Sequence, residues 1–256
     1  NLQYSFSDAW LLKSITAQRW LNTSSYIDID ASEFEIGDVL VSLDQEQFSQ
    51  EFQLQYSNGD NVNGVLGFYY LKEDVPSHQE ASADDFLAFG GVPLDFLRTI
   101  DDDLETTSYA FFGQFNWEFS PSWTLGLGLR YTDEDKDYSR STSTFSAALP
   151  ALNGTFAFDI DDSWSATTPS ISLQKQVNDN SMLYASANRG FKSGGFNGRA
   201  NSAAEVSTFD PETVWTYEGG WKFASADRRF LGSVTVFHSE YEDFQARVSE
   251  VTNPGA

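Results

Sequence analysis

Two-residue alternation, which is clearest over residues 105–119, limits the possible folds more than any other feature. Large apolar side chains fall on one face of an extended chain, and polar ones fall on the other. A helix would scatter them around its circumference, because its repeat is 3.6 residues. The aromatic residues of this face are Tyr109, Phe111, Phe115, Trp117 and Phe119. The stretch therefore predicts a β-strand.

The same unit recurs along the chain as a series of hairpins. After Ser120-Pro121-Ser122, residues 123–131 return with the same alternation, which predicts a turn between two antiparallel strands. Residues 47–73 form a second hairpin around Asn58-Gly59-Asp60. Further hairpins are predicted over residues 164–190 and 212–245. Residues 2–20 are consistent with another one, but Lys13 and Arg19 share a face with Leu11 and Ile15, which leaves its facing open.

Short turns alternate with long connections between these predicted strands. The long segments are Asn22–Asp44, Asp74–Leu104, Asp137–Ser163 and Phe191–Pro211. Transmembrane β-barrels have short periplasmic turns and long extracellular loops, so we predict an all-β, antiparallel up-and-down transmembrane barrel wall of about ten strands. Aromatic residues suited to its interfacial belts are Trp117, Trp123, Trp164, Trp215, Tyr217 and Trp221. A soluble β-sandwich is the alternative.

Charge and composition exclude several functions. With 38 acidic and 15 basic residues, the net charge of −23 argues against nucleic-acid binding, which needs a basic surface. The chain has no cysteine, which excludes disulfides and thiolate metal sites, and it has no apolar run long enough for a membrane-spanning helix. No signal peptide is visible, and the chain begins in a strand pattern and ends in the loop-like Asn253-Pro254-Gly255-Ala256. We therefore expect a fragment of a longer protein.

Three acidic clusters stand at Asp101–Asp103, Asp133–Asp137 and Asp159–Asp162, in or near the predicted extracellular segments. Such oxygens could hold Ca²⁺, but the spacing fails the EF-hand pattern, and we favour a solvated acidic rim. That rim could bind divalent ions that bridge lipopolysaccharide. His78 and His238 lack ligand-spaced partners, so neither a zinc nor a haem site is expected. No catalytic motif is present, and we expect neither enzymatic activity nor a cofactor or metal.

The glycine-rich stretch Gly190–Gly198 fits neither the dinucleotide-binding nor the phosphate-loop pattern. Basic, aromatic and amide side chains in and beside it could contact a ligand at the outer mouth. These candidate binding residues are Arg189, Phe191, Lys192, Phe196, Asn197 and Arg199. The alternative, which we favour, is that the glycines bend a strand end while the basic side chains neutralise neighbouring acids.

Several of these segments, in this order, resemble the barrel of TonB-dependent outer-membrane receptors. The resemblance extends over nearly the whole chain. It rests on Gln50-Glu51-Phe52-Gln53-Leu54, Gly67-Phe68-Tyr69-Tyr70, Tyr109-Ala110-Phe111-Phe112-Gly113-Gln114, Gly128-Leu129-Arg130-Tyr131-Thr132, Leu183-Tyr184-Ala185-Ser186, Gly190-Phe191-Lys192-Ser193-Gly194-Gly195-Phe196-Asn197, Pro211-Glu212-Thr213-Val214, Tyr217-Glu218-Gly219-Gly220-Trp221-Lys222 and Phe237-His238-Ser239-Glu240-Tyr241.

The resemblance implies a plugged barrel of about 22 strands in the outer membrane of a Gram-negative bacterium. Residues 1–256 would be part of its wall, and the plug domain and the C-terminal closing strands would be absent from this chain. It also implies TonB-dependent active uptake of a scarce nutrient, such as a siderophore or a saccharide, with TonB acting through the missing plug. Outer-membrane lipid and lipopolysaccharide would surround the barrel. A passive porin-like channel and a soluble β-rich carbohydrate-binding module are the alternatives.

Overall fold

Strands dominate the computed structural model, which describes residues 1–57, 59, 61–85, 87, 90–91 and 94–246. Short 3-10 helices cover Pro150–Leu152 and Ala203–Glu205. The strands are β1 (Leu2–Ser5), β2 (Trp10–Asp28), β3 (Asp38–Ser57), β4 (Val62–Asp74), β5 (Ser77–Ala83), β6 (Phe96–Ser120), β7 (Trp123–Phe145), β8 (Gly154–Asn178), β9 (Ser181–Lys192), β10 (Gly195–Phe196), β11 (Thr208–Phe209), β12 (Glu212–Ala224) and β13 (Leu231–Glu242). No helix among the described residues has the length and hydropathy needed to cross a membrane.

One antiparallel sheet holds eleven of these strands, with β10 and β11 forming a separate pair. Ten strands follow one another in the order β1-β2-β3-β4-β6-β7-β8-β9-β12-β13, which confirms the predicted up-and-down wall of about ten strands. Strand β5 pairs with the same two neighbours as β4, so β4 and β5 together fill one position. Pro76 lies between them and, having no N–H, cannot continue the ladder of hydrogen bonds.

The strands extend much further than the apolar alternation predicted. Strands β6 and β8 each have 25 residues, a length of about 80 Å, whereas the apolar band of a membrane barrel is about 25 Å tall. Much of the predicted loops Asn22–Asp44, Asp74–Leu104 and Asp137–Ser163 is therefore strand, and this part of the prediction is wrong. The physical reason is that backbone groups pair across neighbouring strands whether or not the side chains are apolar.

The remaining connections still alternate in length. Turns at residues 6–9, 121–122, 179–180 and 225–230 are short, whereas residues 29–37, 84–95, 146–153 and 193–211 form longer connections that include the described parts of loops and short elements. In the predicted turn Asn58-Gly59-Asp60, only Gly59 is described, and its φ of 82° suits glycine. Asn58, Asp60 and the loop-like end Asn253–Ala256 lie outside the described residues.

The two faces of the sheet differ in chemistry, and directly opposed residues on antiparallel strands share a face. One face, here called the aromatic face, carries Phe68 on β4, Phe111 on β6, Leu129 on β7 and Tyr217 on β12. The other, the polar face, carries residues such as Thr132. The register also settles the N-terminal hairpin, because Leu12 pairs with Leu54 on the aromatic face while Lys13 and Arg19 lie opposite glutamines on the polar face.

The aromatic face is not covered by any other layer of the described chain. Phe111 remains 62% exposed and Leu129 56% exposed. The buried apolar residues of the described chain are few: Ala83, Ala110, Tyr138, Trp164 and Ala200. A soluble sandwich would bury these faces between two sheets, so this architecture fits a wall that is in contact with lipid.

Gly67 provides a test of packing within the wall. A Cβ at this position would lie 2.2 Å from the ring of Phe112 on the neighbouring strand. We expect Gly67→Ala to lower the free energy of unfolding by about 1–2 kcal/mol, because the ring must move. Urea unfolding of the protein in lipid vesicles measures this. Gly219→Ala is the control, because its Cβ would meet nothing closer than 3.8 Å; equal losses in both variants would contradict the explanation.

Candidate functional site

The segment Ser193–Pro211, here called the docked segment, connects β9 to β12 and folds back over the polar face of β6–β8. Its two short strands pair with each other, Gly195 with Phe209 and Phe196 with Thr208. Gly194, Gly195 and Ala200 are buried. The glycine-rich stretch therefore does more than bend a strand end, because it reaches strands that precede it by about 60 residues.

Three basic side chains of the wall hold this segment. Lys136 Nζ donates to the carbonyl oxygen of Gly194 at 2.9 Å, and Arg140 Nη1 donates to that of Gly198 at 2.7 Å. Arg98 donates to the side-chain oxygen of Asn201. The wall thus supplies cations, and the segment supplies neutral oxygens.

Aromatic contacts complete the docking. The ring of Phe196 stacks on Tyr138, with centroids 5.6 Å apart and planes 14° from parallel, and it meets Trp164 at 5.6 Å in an edge-on arrangement. Lys136 Nζ lies 5.5 Å from the Trp164 ring centroid, in a cation–π contact. Phe196 is the only candidate binding residue from the sequence whose ring enters this aromatic group among the described contacts.

A buried ion pair supports the docking site. The side chain of Arg140 is 5% exposed, and its Nη1 lies 2.8 Å from Asp102 Oδ1. Tyr138 Oη donates to the same carboxylate oxygen at 2.7 Å. Tyr138 lies well beyond the aromatic belt, and burial, followed by this hydrogen bond, raises its pKa to about 12. The tyrosine is therefore neutral at physiological pH and acts as a hydrogen-bond donor.

The six candidate binding residues are not brought together. Arg189 and Phe191 lie on the aromatic face, since Arg189 pairs with Trp215 and Phe191 with Thr213. Lys192 ends β9 and is exposed on the polar face. The other three belong to the docked segment: Phe196, Asn197 and Arg199.

Within the docked segment, Asn197 braces the backbone. Its Nδ2 donates to the carbonyl oxygen of Glu205 at 2.9 Å, and its Oδ1 accepts the N–H of Arg199 at 3.2 Å. The side chain of Arg199 is exposed and has no hydrogen bond to another described side chain. Of the six, Lys192 and Arg199 are the two exposed cations, and neither forms an ion pair with a side chain in the described part of the chain.

Sequence reasoning missed the wall residues that hold the segment, among them Lys136, Tyr138 and Arg140. It also placed Trp164 in the interfacial belt, and this prediction is wrong. Trp164 is 8% exposed and lies on the polar face beneath Phe196. The spacing along β8 could have shown which face Trp164 occupies. Trp164 is an odd number of residues from Ile171, so the two side chains point to opposite faces of the sheet.

The three acidic clusters lie on adjacent strands rather than in separate loops. Asp137 pairs with Glu105 on one side and Asp161 on the other. Alternate members therefore form one acidic surface on the aromatic face, beyond Tyr109 and Tyr131. Burial, followed by the neighbouring Asp74, raises the pKa of Asp103 above its usual range. That this surface forms a solvated acidic rim remains a prediction.

A further cluster of carboxylate side chains lies between β2 and β3. Ligand atoms of Asp28, Asp30 and Asp38 lie within 4.8 Å of one another, and Asp38 is buried. A backbone amide already donates to one of these carboxylate oxygens, since the N–H of Ala31 donates to Asp28 Oδ1 at 2.7 Å. Carboxylate oxygens suit a hard cation such as Ca²⁺, but exposed acidic groups also cluster in this way without one.

His78 gives a pH-dependent prediction. Its Nδ1 lies 2.6 Å from Asp101 Oδ1 and its Nε2 3.1 Å from Glu80 Oε1. The bond to Asp101, followed by that to Glu80, raises the pKa of His78 above its usual 6.5. The resulting stability is fully present below pH 6.5 and is lost as the pH rises through the folded-state pKa. Because these groups are exposed, we expect less than about 1 kcal/mol.

Amide hydrogen exchange of β5 in the intact protein measures this effect. Exchange should become faster between pH 6 and pH 8.5, after correction for the intrinsic rate, and His78→Gln should remove the change. His238→Gln is the matched control, because that histidine lies on β13, away from β5. The same pH profile in wild type and His78→Gln would show that the histidine is not responsible.

Comparisons with known proteins match the whole chain. A family model described as "TonB dependent receptor-like, beta-barrel" matches residues 1–256. Among solved structures, the ferric yersiniabactin uptake receptor from Yersinia pestis has a TM-score of 0.76 at 18% identity, covering 95% of this chain and 35% of that one. The siderophore receptor PiuA from Acinetobacter baumannii has a TM-score of 0.66 at 16% identity, with 92% and 38% covered. The ferric citrate transporter FecA has a TM-score of 0.60 at 15% identity, with 93% and 33% covered. The chain thus spans about a third of the length of these structures.

Proposed function

Because this chain belongs to the TonB-dependent receptor-like β-barrel family, we propose that it forms part of the wall of a transporter for active uptake of a scarce small-molecule nutrient. Members of this family are receptors and transporters of the Gram-negative outer membrane. The single observation that supports a binding function at the mouth is the docked segment, which narrows the space over the polar face. We propose no catalytic activity.

The rest of the transporter would come from outside residues 1–256. The structures that this chain resembles are about three times as long. We propose that the remainder supplies a plug domain and the further strands that close the barrel, and that TonB acts through this plug. The polar face would then line the lumen, and the aromatic face would contact lipid and lipopolysaccharide.

Nutrient contact is proposed at the exposed side of the docked segment. Lys192 and Arg199 present cations there, and Asn197 holds the backbone between them. These charges stand out in a chain with a net charge of −23, so they favour a ligand that carries acceptor oxygens. The similar structures are those of an uptake receptor for ferric yersiniabactin, a siderophore receptor and a ferric citrate transporter. A siderophore or saccharide is proposed here.

Uptake by a deletion strain that carries the full-length gene on a plasmid tests this function. A panel of ferric siderophores and labelled oligosaccharides serves as the probe, and uptake is measured with and without an uncoupler of the inner membrane. Active transport predicts uptake that the uncoupler abolishes. Uptake that persists after uncoupling would instead indicate a passive porin-like channel. A strain with the empty plasmid is the control.

A further inference from the structure

Three cations stand in a row on the polar face of the wall, beneath the docked segment. Lys136 and Arg140 are four residues apart on β7, and Arg98 on β6 lies opposite Thr144, which is four residues further along. At about 3.3 Å per residue, the backbone positions of neighbouring cations are about 13 Å apart, and the row is about 26 Å long. A ligand that contacts all three cations is therefore elongated.

The hydrogen bonds between this row and the docked segment all run in the same direction. The wall cations donate, and the acceptors are oxygen atoms of Gly194, Gly198 and Asn201. The described hydrogen bonds of the segment's own N–H groups stay within the segment, as from Asn197 to the carbonyl oxygen of Ser207 at 2.9 Å. The wall thus recognises oxygen atoms and one aromatic ring, and it reads no N–H group of the peptide.

Neutral oxygens leave the cations incompletely satisfied. The side chain of Arg140 is 5% exposed, yet its Nε is buried without a hydrogen-bond partner among the described residues, and the same holds for Nε of Arg98. Arg140 pairs with Asp102, and Lys136 pairs with Glu134 at 3.0 Å, whereas Arg98 has no salt bridge in the described part of the chain. Carboxylates in place of the neutral oxygens would form charge-assisted hydrogen bonds, which are about twice as strong.

An aromatic platform lies between the cations. Tyr138 stands between Lys136 and Arg140 on β7, and the ring of Phe196 covers it with the two planes 14° from parallel. The apolar face of a sugar ring packs on an aromatic ring through dispersion contacts. A sugar chain that carries carboxylates therefore offers both features that the wall recognises in the segment.

We propose that the docked segment is an internal ligand of this groove and that an acidic oligosaccharide displaces it. Carboxylates of the oligosaccharide take the places of the oxygens of Gly194, Gly198 and Asn201, and a sugar ring takes the place of Phe196 on Tyr138. An elongated chain reaches all three cations, as a compact chelate does not. This role rests on the proposed uptake function and narrows its substrate class.

The ends of the docked segment are held independently of these contacts. Gln245 Nε2 donates to the carbonyl oxygens of Ser193 at 3.0 Å and Asp210 at 2.9 Å, which joins the two ends. Strands β9 and β12 also stay paired up to Lys192 and Glu212. The middle of the segment can therefore leave the wall and return without a change in the sheet. Such a tethered competitor has a high effective concentration, so it excludes weak ligands.

Oligogalacturonate, a linear chain of galacturonic acid, is the probe for the intact protein in detergent. Its methyl ester has the same sugar chain without the charge and is the control ligand. Calorimetry measures binding, and limited proteolysis between residues 193 and 211 measures release of the segment. We expect oligogalacturonate to bind and to make cleavage faster. The methyl ester and monomeric galacturonate should bind at least about tenfold more weakly, because the carboxylate contacts are lost or cannot form together.

Two variants at one contact should change the affinity in opposite directions. Arg98→Gln should weaken binding about fivefold, because the lost contact with a carboxylate is stronger than the lost contact with the segment. Asn201→Ala should tighten binding about fivefold, because it weakens the competitor and leaves Arg98 in place. Arg19→Gln is the matched control, because this exposed arginine of the polar face lies on β2, opposite Gln47; it should bind as wild type does.

Several results would overturn the proposal. Weaker binding by Asn201→Ala would show that the segment supports the ligand rather than competing with it. Equal binding of the methyl ester would exclude the carboxylate contacts, and tighter binding of polyglutamate would assign the groove to peptides. Absence of oligogalacturonate binding, together with uncoupler-sensitive uptake of another nutrient, would reject the oligosaccharide and leave the transport function intact. Heat-modifiable migration confirms that each variant is folded.

Discussion

Replacing Arg140 with leucine is expected to lower the free energy of unfolding by about 3 kcal/mol and to release the docked segment. Its side chain is 5% exposed, and its partner, the carboxylate of Asp102, is 14% exposed. Removing one member of a buried pair leaves the other charge uncompensated, which costs about 3–5 kcal/mol, and the lower end applies because Asp102 retains some contact with water. The contact with Gly198 is lost as well.

Limited proteolysis and urea unfolding of the full-length receptor measure the two effects. Cleavage between residues 193 and 211 should become faster in Arg140→Leu, and the unfolding midpoint should fall. The double variant Arg140→Leu/Asp102→Leu should recover part of the stability, because no unpaired charge remains, yet its segment should stay sensitive to protease. If the single variant keeps the wild-type cleavage pattern, Arg140 does not hold the segment.

Gly194→Ala is expected to undock the segment through sterics alone and to cost at least about 2 kcal/mol. An added Cβ would lie 2.4 Å from Trp164 and 2.5 Å from the backbone oxygen of Phe209. The backbone oxygen cannot rotate away as a side chain can, so β10 and β11 must shift and Phe196 must leave Tyr138. This cost exceeds that expected for Gly67→Ala, where only a ring has to move.

Gly198→Ala is the matched control in the same segment. Its Cβ would meet Tyr138 Oη at 3.6 Å, an ordinary van der Waals distance. Protease sensitivity should therefore rise in Gly194→Ala and remain unchanged in Gly198→Ala. Equal sensitivity of the two variants would mean that loss of glycine flexibility, rather than the clash, explains the effect. Nutrient affinity, measured in the same pair, would show whether docking supports binding.

Local patterns in the sequence were sufficient for the hairpins and for the order of the strands. The alternation around Phe111 and Phe115 defines both the strand and its aromatic face, because side chains of a strand point alternately to opposite sides. The same parity, applied to Trp164 and Arg189, places each on its observed face. Trp164 was placed in the interfacial belt because residue type was given more weight than parity.

Strand ends were not predictable from apolar patterns. Beyond Tyr109 and Tyr131, side chains on both faces are largely polar, and the alternation that marks a half-buried strand disappears. The ladders of β6, β7 and β8 nevertheless continue, because hydrogen bonds between backbones need only neighbouring strands of similar length. The acidic clusters thus became one surface, which no single segment of sequence shows.

By itself, the sequence determined the repeated hairpins, the alternating connections and the family, because each depends on residues close together in the chain. Only the tertiary structure decided where the glycine-rich stretch goes. Its contacts with Lys136 and Arg140 each span 58 residues. No periodicity encodes such pairs, since they form only when the wall has brought three strands side by side and the cations on its polar face meet the segment's carbonyl oxygens.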